Sequence, residues 1–181
     1  MPIVSADIKW KLSVKTGSAG NSTAGTAAGS LGKYISTTEI VDNTINNLFD
    51  NISGDENAAS TVDYRCIFVH NSHATLTLLS PVVWLSAEVA NGASAAIAID
   101  DLAASAIGSA SAQADEIANE TTAPGSGVGS FSSPTTKGTG LALSDIPAGQ
   151  CRAVWVRRTA ANTAALDNDG VTIRVEGDTA A

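Results

Sequence analysis

Residues able to do chemistry are few in this chain and sit in short clusters. Both histidines fall in His70-Asn71-Ser72-His73. Two imidazoles at that spacing can begin a metal site, but Cys or carboxylate partners at ligand spacing are missing. A polar turn at a strand end is the expectation. Asp167-Asn168-Asp169-Gly170 supplies half of a calcium loop. The further oxygen ligand and the closing Glu are absent, so Asp-Gly reads as a hairpin turn. Gly125-Ser126-Gly127-Val128-Gly129 has neither a strand before it nor a helix after it, and so cradles no phosphate. Asp100 and Asp101 are neighbours, which in a strand point to opposite faces and cannot work as a carboxylate pair. The sequence predicts no catalytic residue, no cofactor and no metal.

Cys66 and Cys151 are 85 positions apart, too few and too distant to form a disulfide framework. Both fall in strand-like runs. Buried free thiols are the expectation, with one bridge left open should their strands face each other. Trp10, Trp84 and Trp155 lie within apolar alternation and are expected in the core.

Charge is unevenly placed. The formal net charge is −8. Lys9, Lys11 and Lys15 lie near the start, and Arg152, Arg157, Arg158 and Arg174 near the end. Between Cys66 and Gln150 the only base is Lys137, against seven acids. So sparse a set of bases gives no nucleic-acid footprint. The acidic middle reads first as a solvated surface, and alternatively as part of a dipolar subunit whose basic edge meets an acidic neighbour. Lys9, Lys11, Lys15, Arg157 and Arg158 are the candidate interface residues. Arg157 and Arg158 must face opposite ways if they share a strand.

The elements that would position these residues are mostly strands. Asp7 to Lys15 alternates, with Ile8, Trp10, Leu12 and Val14 on one face and the three lysines on the other, which suits an edge strand or a charged contact. Ile40, Val41, Ile45, Leu48, Phe49 and Ile52 recur at threes and fours. That spacing predicts a short helix, capped by Thr38 or Asp42 and closed by Gly54. Further strands are expected at Val62–Asn71, which is apolar on both faces and so central, at Thr75–Leu79, at 82–89 after Pro81, and at Ala96–Asp100. Lys137–Ser144, Cys151–Thr159 and Val171–Glu176 complete the set. On Cys151–Thr159, Cys151, Ala153, Trp155 and Arg157 share one face, and Arg152, Val154, Val156 and Arg158 the other. Many short strands, one helix and no βαβ alternation predict a mainly β chain: an antiparallel sandwich, jelly-roll or immunoglobulin-like.

Composition sets two segments apart. Ala, Ser, Thr and Gly make up 85 of 181 residues. They concentrate in Thr16–Gly32 and Ala103–Pro134. The first reads either as a flexible linker or as an extended arm that orders on a partner, and its length favours the first strand docking on a neighbouring subunit. The implied organisation is a strand and flexible arm over 1–33 and one sandwich domain over 34–181. No apolar run is long enough to span a membrane. The start lacks the pattern of a secretion signal, so synthesis in a cytoplasm is expected.

Several stretches are familiar together: Tyr34–Asp42, Asn47-Leu48-Phe49-Asp50, Tyr64-Arg65-Cys66, Asn71–Leu78, Val154–Thr159 and Arg174–Asp178. In these the chain resembles small structural proteins encoded among the virion genes of tailed bacteriophages. The resemblance implies a virion protein, most like a capsid decoration (cement) protein on the capsid surface. It implies the major capsid protein as partner and a homo-oligomer, with a trimer favoured. A tail or baseplate component that binds host glycans is the alternative. The resemblance carries no active-site residue with it.

Overall fold

A computed structural model describes residues 2–17, 22–164, 166 and 169–179. The chain is mainly β, with 40% strand and 7% helix, and its antiparallel sheets pack against each other as a sandwich. The strands are β1 (Ile8–Val14), β2 (Tyr34–Glu39), β3 (Val62–Asn71), β4 (Leu78–Glu88) and β5 (Ser94–Ile99). They continue with β6 (Ser105–Ala106), β7 (Leu141–Ala142), β8 (Gln150–Thr159) and β9 (Val171–Thr179). The larger sheet runs β2-β1-β3-β8-β5, with β6 also on β8; the smaller runs β7-β4-β9.

The period-two expectation for β8 holds on both faces. Val154 and Val156 join Leu12, Ile67, Val69 and Ile97 against Val83, Leu85, Leu143 and Ile146 between the sheets. Cys151, Ala153 and Trp155 join Cys66, Phe68 and Ala98 in a second core on the other face. Strands apolar on both faces require cover on both. The smaller sheet covers one face. Coil covers the other: Leu31, Ile107, Ala114, Ile117, Val128 and Phe131 pack onto the second core. The molecule therefore has three layers, and the third is built from the small-residue segments.

Several sequence expectations are corrected. β1 is not an edge. It lies between β2 and β3, pairing Lys11 with both Glu39 and Phe68. It is thus a strand of this chain's own sheet, where Leu12 is buried in the intersheet core and Ser13 is fully buried on the opposite face. The helix expected over 40–52 is absent. That stretch is irregular, with left-handed backbone at Asn43 (φ 55°) and Asn46 (φ 59°). The helix that forms is α1 (Gly54–Ala59), and the Gly expected to end a helix begins one. Ser53 is its N-cap: Ser53 Oγ accepts from Glu56 N, and Ser53 N donates to the Glu56 carboxylate at 2.7 Å. The two strands expected around Pro81 form one. A bulge between Leu79 and Val82 admits the proline, with Ser80 left-handed at φ 45°.

The small-residue segments are held by specific bonds. Ser30 Oγ accepts from Ser13 N at 2.9 Å and donates to Cys66 O at 2.6 Å. Cys66 N in turn donates to Ser30 O. Ile97 and Ser132 exchange both backbone bonds, which covers the open side of β5. Gly32 has φ +95°, and a Cβ there would sit 1.8 Å from the Asp115 carbonyl oxygen. Only glycine permits that approach of backbone to backbone. In 22–32 and 103–134 the small residues let coil lie flat on a sheet of the same chain. Residues 18–21 of the expected arm lie outside the described residues.

Candidate interaction surfaces

The five candidate interface residues lie at separate places. Lys9 pairs with Glu39 across β1 and β2 at 3.7 Å. Lys11 is buried on the coil-covered face. Lys15 Nζ donates to Ile117 O at 2.7 Å and lies 3.6 Å from Glu116, which Lys33 also approaches. Arg157 and Arg158 do point to opposite faces. The Arg157 guanidinium lies over the Phe131 ring, 5.3 Å from its centre, and Phe131 meets Tyr64 edge-on. Arg158 is buried, with Nη2 2.7 Å from Asp63 Oδ2 and 3.2 Å from Asp50 Oδ1. These charges act first within the chain. Because β1 pairs with both β2 and β3 and buries Leu12 in the intersheet core, removing residues 1–32 strips the sheet rather than an appendage.

A charged cluster that spacing alone did not reveal closes one end of the sandwich. Phe49 packs against two guanidinium groups, Arg158 at 4.8 Å and Arg65 at 5.4 Å from its ring centre. Arg65 is fully buried; its Nε donates to Leu48 O at 3.2 Å and its Nη2 pairs with Glu120. Arg158 also donates to the Asp50 carbonyl. Two cations on one aromatic ring, each with a carboxylate, form a lock on the base of the 40–53 loop. Its far end is exposed: Val41 is 63% and Ile45 75% accessible. The only signal in the sequence was that Phe49, Arg65 and Arg158 stand in separate familiar stretches.

The remaining chemistry-bearing groups are held by structure. Asp100 is fully buried and accepts from Trp155 Nε1 at 3.0 Å, Asp115 N at 2.8 Å and Leu102 N at 3.1 Å. Burial raises its pKa, and the Trp155 and backbone donors offset part of that rise. Cys66 and Cys151 are both free and buried. They share a face of adjacent strands, but Cys66 pairs with Trp155 in register, four residues from Cys151. That offset is about 13 Å along the strand, which no disulfide spans. Burial pushes the Cys151 thiol up to about 12 and the Cys66 thiol well above its usual value, so neither is a nucleophile near neutrality.

His70 and His73 part company. His73 Nδ1 accepts from Thr75 N and Leu76 N in a turn, as the polar-turn reading expects. His70 is buried on β3, and neither ring nitrogen has a hydrogen-bond partner. Asp167 and Asn168 of the calcium-like motif lie outside the described residues; Asp169 accepts from Ala93 N at 2.7 Å. Among the described residues no group of three or more His, Cys, Asp or Glu is placed to hold a metal ion. No helix among them is long and apolar enough to cross a membrane. Trp155 and Trp84 are buried, and Trp10 packs against the intersheet core.

A shallow groove of about 210 Å³ opens beside β9, lined by Ile3, Val4, Ile8, Leu78, Val175 and Gly177 among others. No family model, curated protein or solved structure matches the chain.

Proposed function

We propose that this chain is a bacteriophage virion structural protein that decorates the capsid, binding the major capsid protein and stabilising the head. The observation that carries a binding role is the 40–53 loop. Its base is fixed by Phe49 against Arg65 and Arg158, while Val41 and Ile45 stand in solvent. An anchored loop that presents apolar side chains is built for contact, because little ordering entropy remains to be lost on binding. Residues carrying the sequence resemblance converge on this lock, which supports a mechanical reading of those stretches. Stabilisation then follows from linkage: area buried at each junction, repeated by symmetry, favours the assembled shell.

Quantitative mass spectrometry of purified particles carrying the gene tests this reading. Copies in proportion to the capsid protein are expected, as shell symmetry demands. Ile45→Asp should lower that occupancy while leaving the fold intact. A handful of copies per particle would place the protein in the tail, and none would overturn the virion reading.

A further inference from the structure

Among the described residues β9 is the one long strand whose outer edge is uncovered. β2 is capped by coil: Thr37 N donates to Thr23 O, and Ile35 N to Gln113 Oε1. β5 is covered by 127–133, through Gly129 N to Ile99 O and the Ile97–Ser132 pair. On the β7 side of β4, Leu85 N reaches Pro134 O and Leu143 N reaches Pro81 O. β9 differs. It is nine residues long and pairs with β4 alone, and among the described residues no backbone hydrogen bond reaches its outer side. A long uncovered edge is a template for another strand.

The sequence of β9 points to the occupant. Thr172, Arg174, Glu176 and Asp178 are exposed on one face, and Val171, Ile173 and Val175 turn toward the core. Arg174 and Glu176 flank Val175 symmetrically. An antiparallel pair centred on Val175 therefore sets Arg174 directly opposite the partner's Glu176, and Glu176 opposite the partner's Arg174. Arg174 has no ion-pair partner within the described residues, and Glu176, whose Oε1 pairs with Lys137, keeps Oε2 for the partner's Arg174. The same register sets Gly177 opposite the partner's Ile173. Gly177 lines the apolar groove with Val175 and Ile3, so the partner's isoleucine meets that groove at its rim.

We propose that two copies of this chain associate through β9, edge to edge about a two-fold axis centred on Val175, joining their smaller sheets into one of six strands. The interface is isologous, with each charge pair made twice. This proposal is independent of the virion reading, because it rests on β9 alone. It differs from the trimer that the sequence resemblance implies.

Sedimentation velocity and light scattering on the purified chain test it. The wild type should run at twice the 18.2 kDa chain mass. Arg174→Glu places like charges opposite one another at two symmetric positions and should weaken association about tenfold or more. The double variant Arg174→Glu/Glu176→Arg restores opposite charges in this register only, and should recover the dimer. Both positions are exposed, so circular dichroism should be unchanged in each variant. A wild-type monomer or trimer would overturn the proposal, as would a dimer indifferent to Arg174→Glu or one that the double variant fails to recover.

Discussion

The two faces of the larger sheet are covered in opposite ways. Between the sheets, branched aliphatic side chains meet others like them: Val154, Val156 and Ile97 against Val83, Leu85 and Ile146. On the far side, Cys66, Phe68, Ala98 and Trp155 meet coil rather than strands. Coil brings unpaired backbone with it, and buried backbone must be bonded. The second face therefore carries small buried polar groups, Ser13, Ser30, Asp100 and Gln113, whereas the intersheet face buries the charged Asp63, Arg65 and Arg158 of the Phe49 cluster. Each of the small groups bonds backbone directly. Gln113 alone links Ile35 N, Ser105 Oγ and Ala106 O. Away from the Phe49 cluster, the intersheet face is specified by shape, and the other by hydrogen bonds of small polar residues.

The largest difference should appear where the second face combines both kinds of interaction. Trp155 is fully buried, and its Nε1 donates to Asp100. Trp155→Ala leaves a large cavity and takes one donor from a buried carboxylate, so it should cost about 3–5 kcal/mol. Ile97→Ala on the intersheet face removes fewer atoms and orphans no polar group; about 2–4 kcal/mol is expected. Urea unfolding of both variants checks the order. A smaller loss for Trp155→Ala would mean that the coil layer collapses into the space it leaves.

A second variant isolates the hydrogen-bonded cover. Ser30→Ala removes an acceptor from Ser13 N and a donor from Cys66 O without changing the apolar packing. Both partners are buried, so a loss of about 1–3 kcal/mol is expected. Hydrogen exchange at Ser13 and Gly32 should quicken more than at Ile97 or Val154. Equal quickening on both faces would deny that the cover has a stability of its own.

The same contrast sets what the sequence discloses. Face alternation is local, so β8 could be divided correctly between two cores and β3 bounded at Val62 and Asn71. The cover of the second face depends on pairs far apart in the chain, such as Ser30 with Cys66 or Asp100 with Trp155. Composition registers those segments only as poor in apolar residues, which resembles disorder. Gly32 against Asp115 shows the actual reason for small residues. The helix was misplaced for a related cause. Leu48 and Phe49 have helical spacing from Ile45, yet Phe49 is drawn into the Arg65–Arg158 lock at one end of the sandwich. The left-handed asparagines then allow the chain to turn. Ser53-x-x-Glu56 was the legible signal for the helix that does form.

The smallest effect sharpens the comparison through pH. His70 lies at the end of the coil-covered face, pairing in register with Lys9 and Cys151. Burial lowers its pKa below 6.5; Lys11 and Lys9 lower it further, and Glu39 opposes them. The folded state therefore binds this proton less readily than the unfolded chain does. The resulting stability is fully present above about pH 6.5 and is lost as pH falls through the lowered folded value. Denaturation midpoints should thus drop between pH 7.5 and pH 5, and hydrogen exchange should rise first on the coil-covered face. His70→Gln removes the titrating group and should flatten that part of the profile. A slope that persists unchanged in His70→Gln through this window would assign the acid sensitivity to another group.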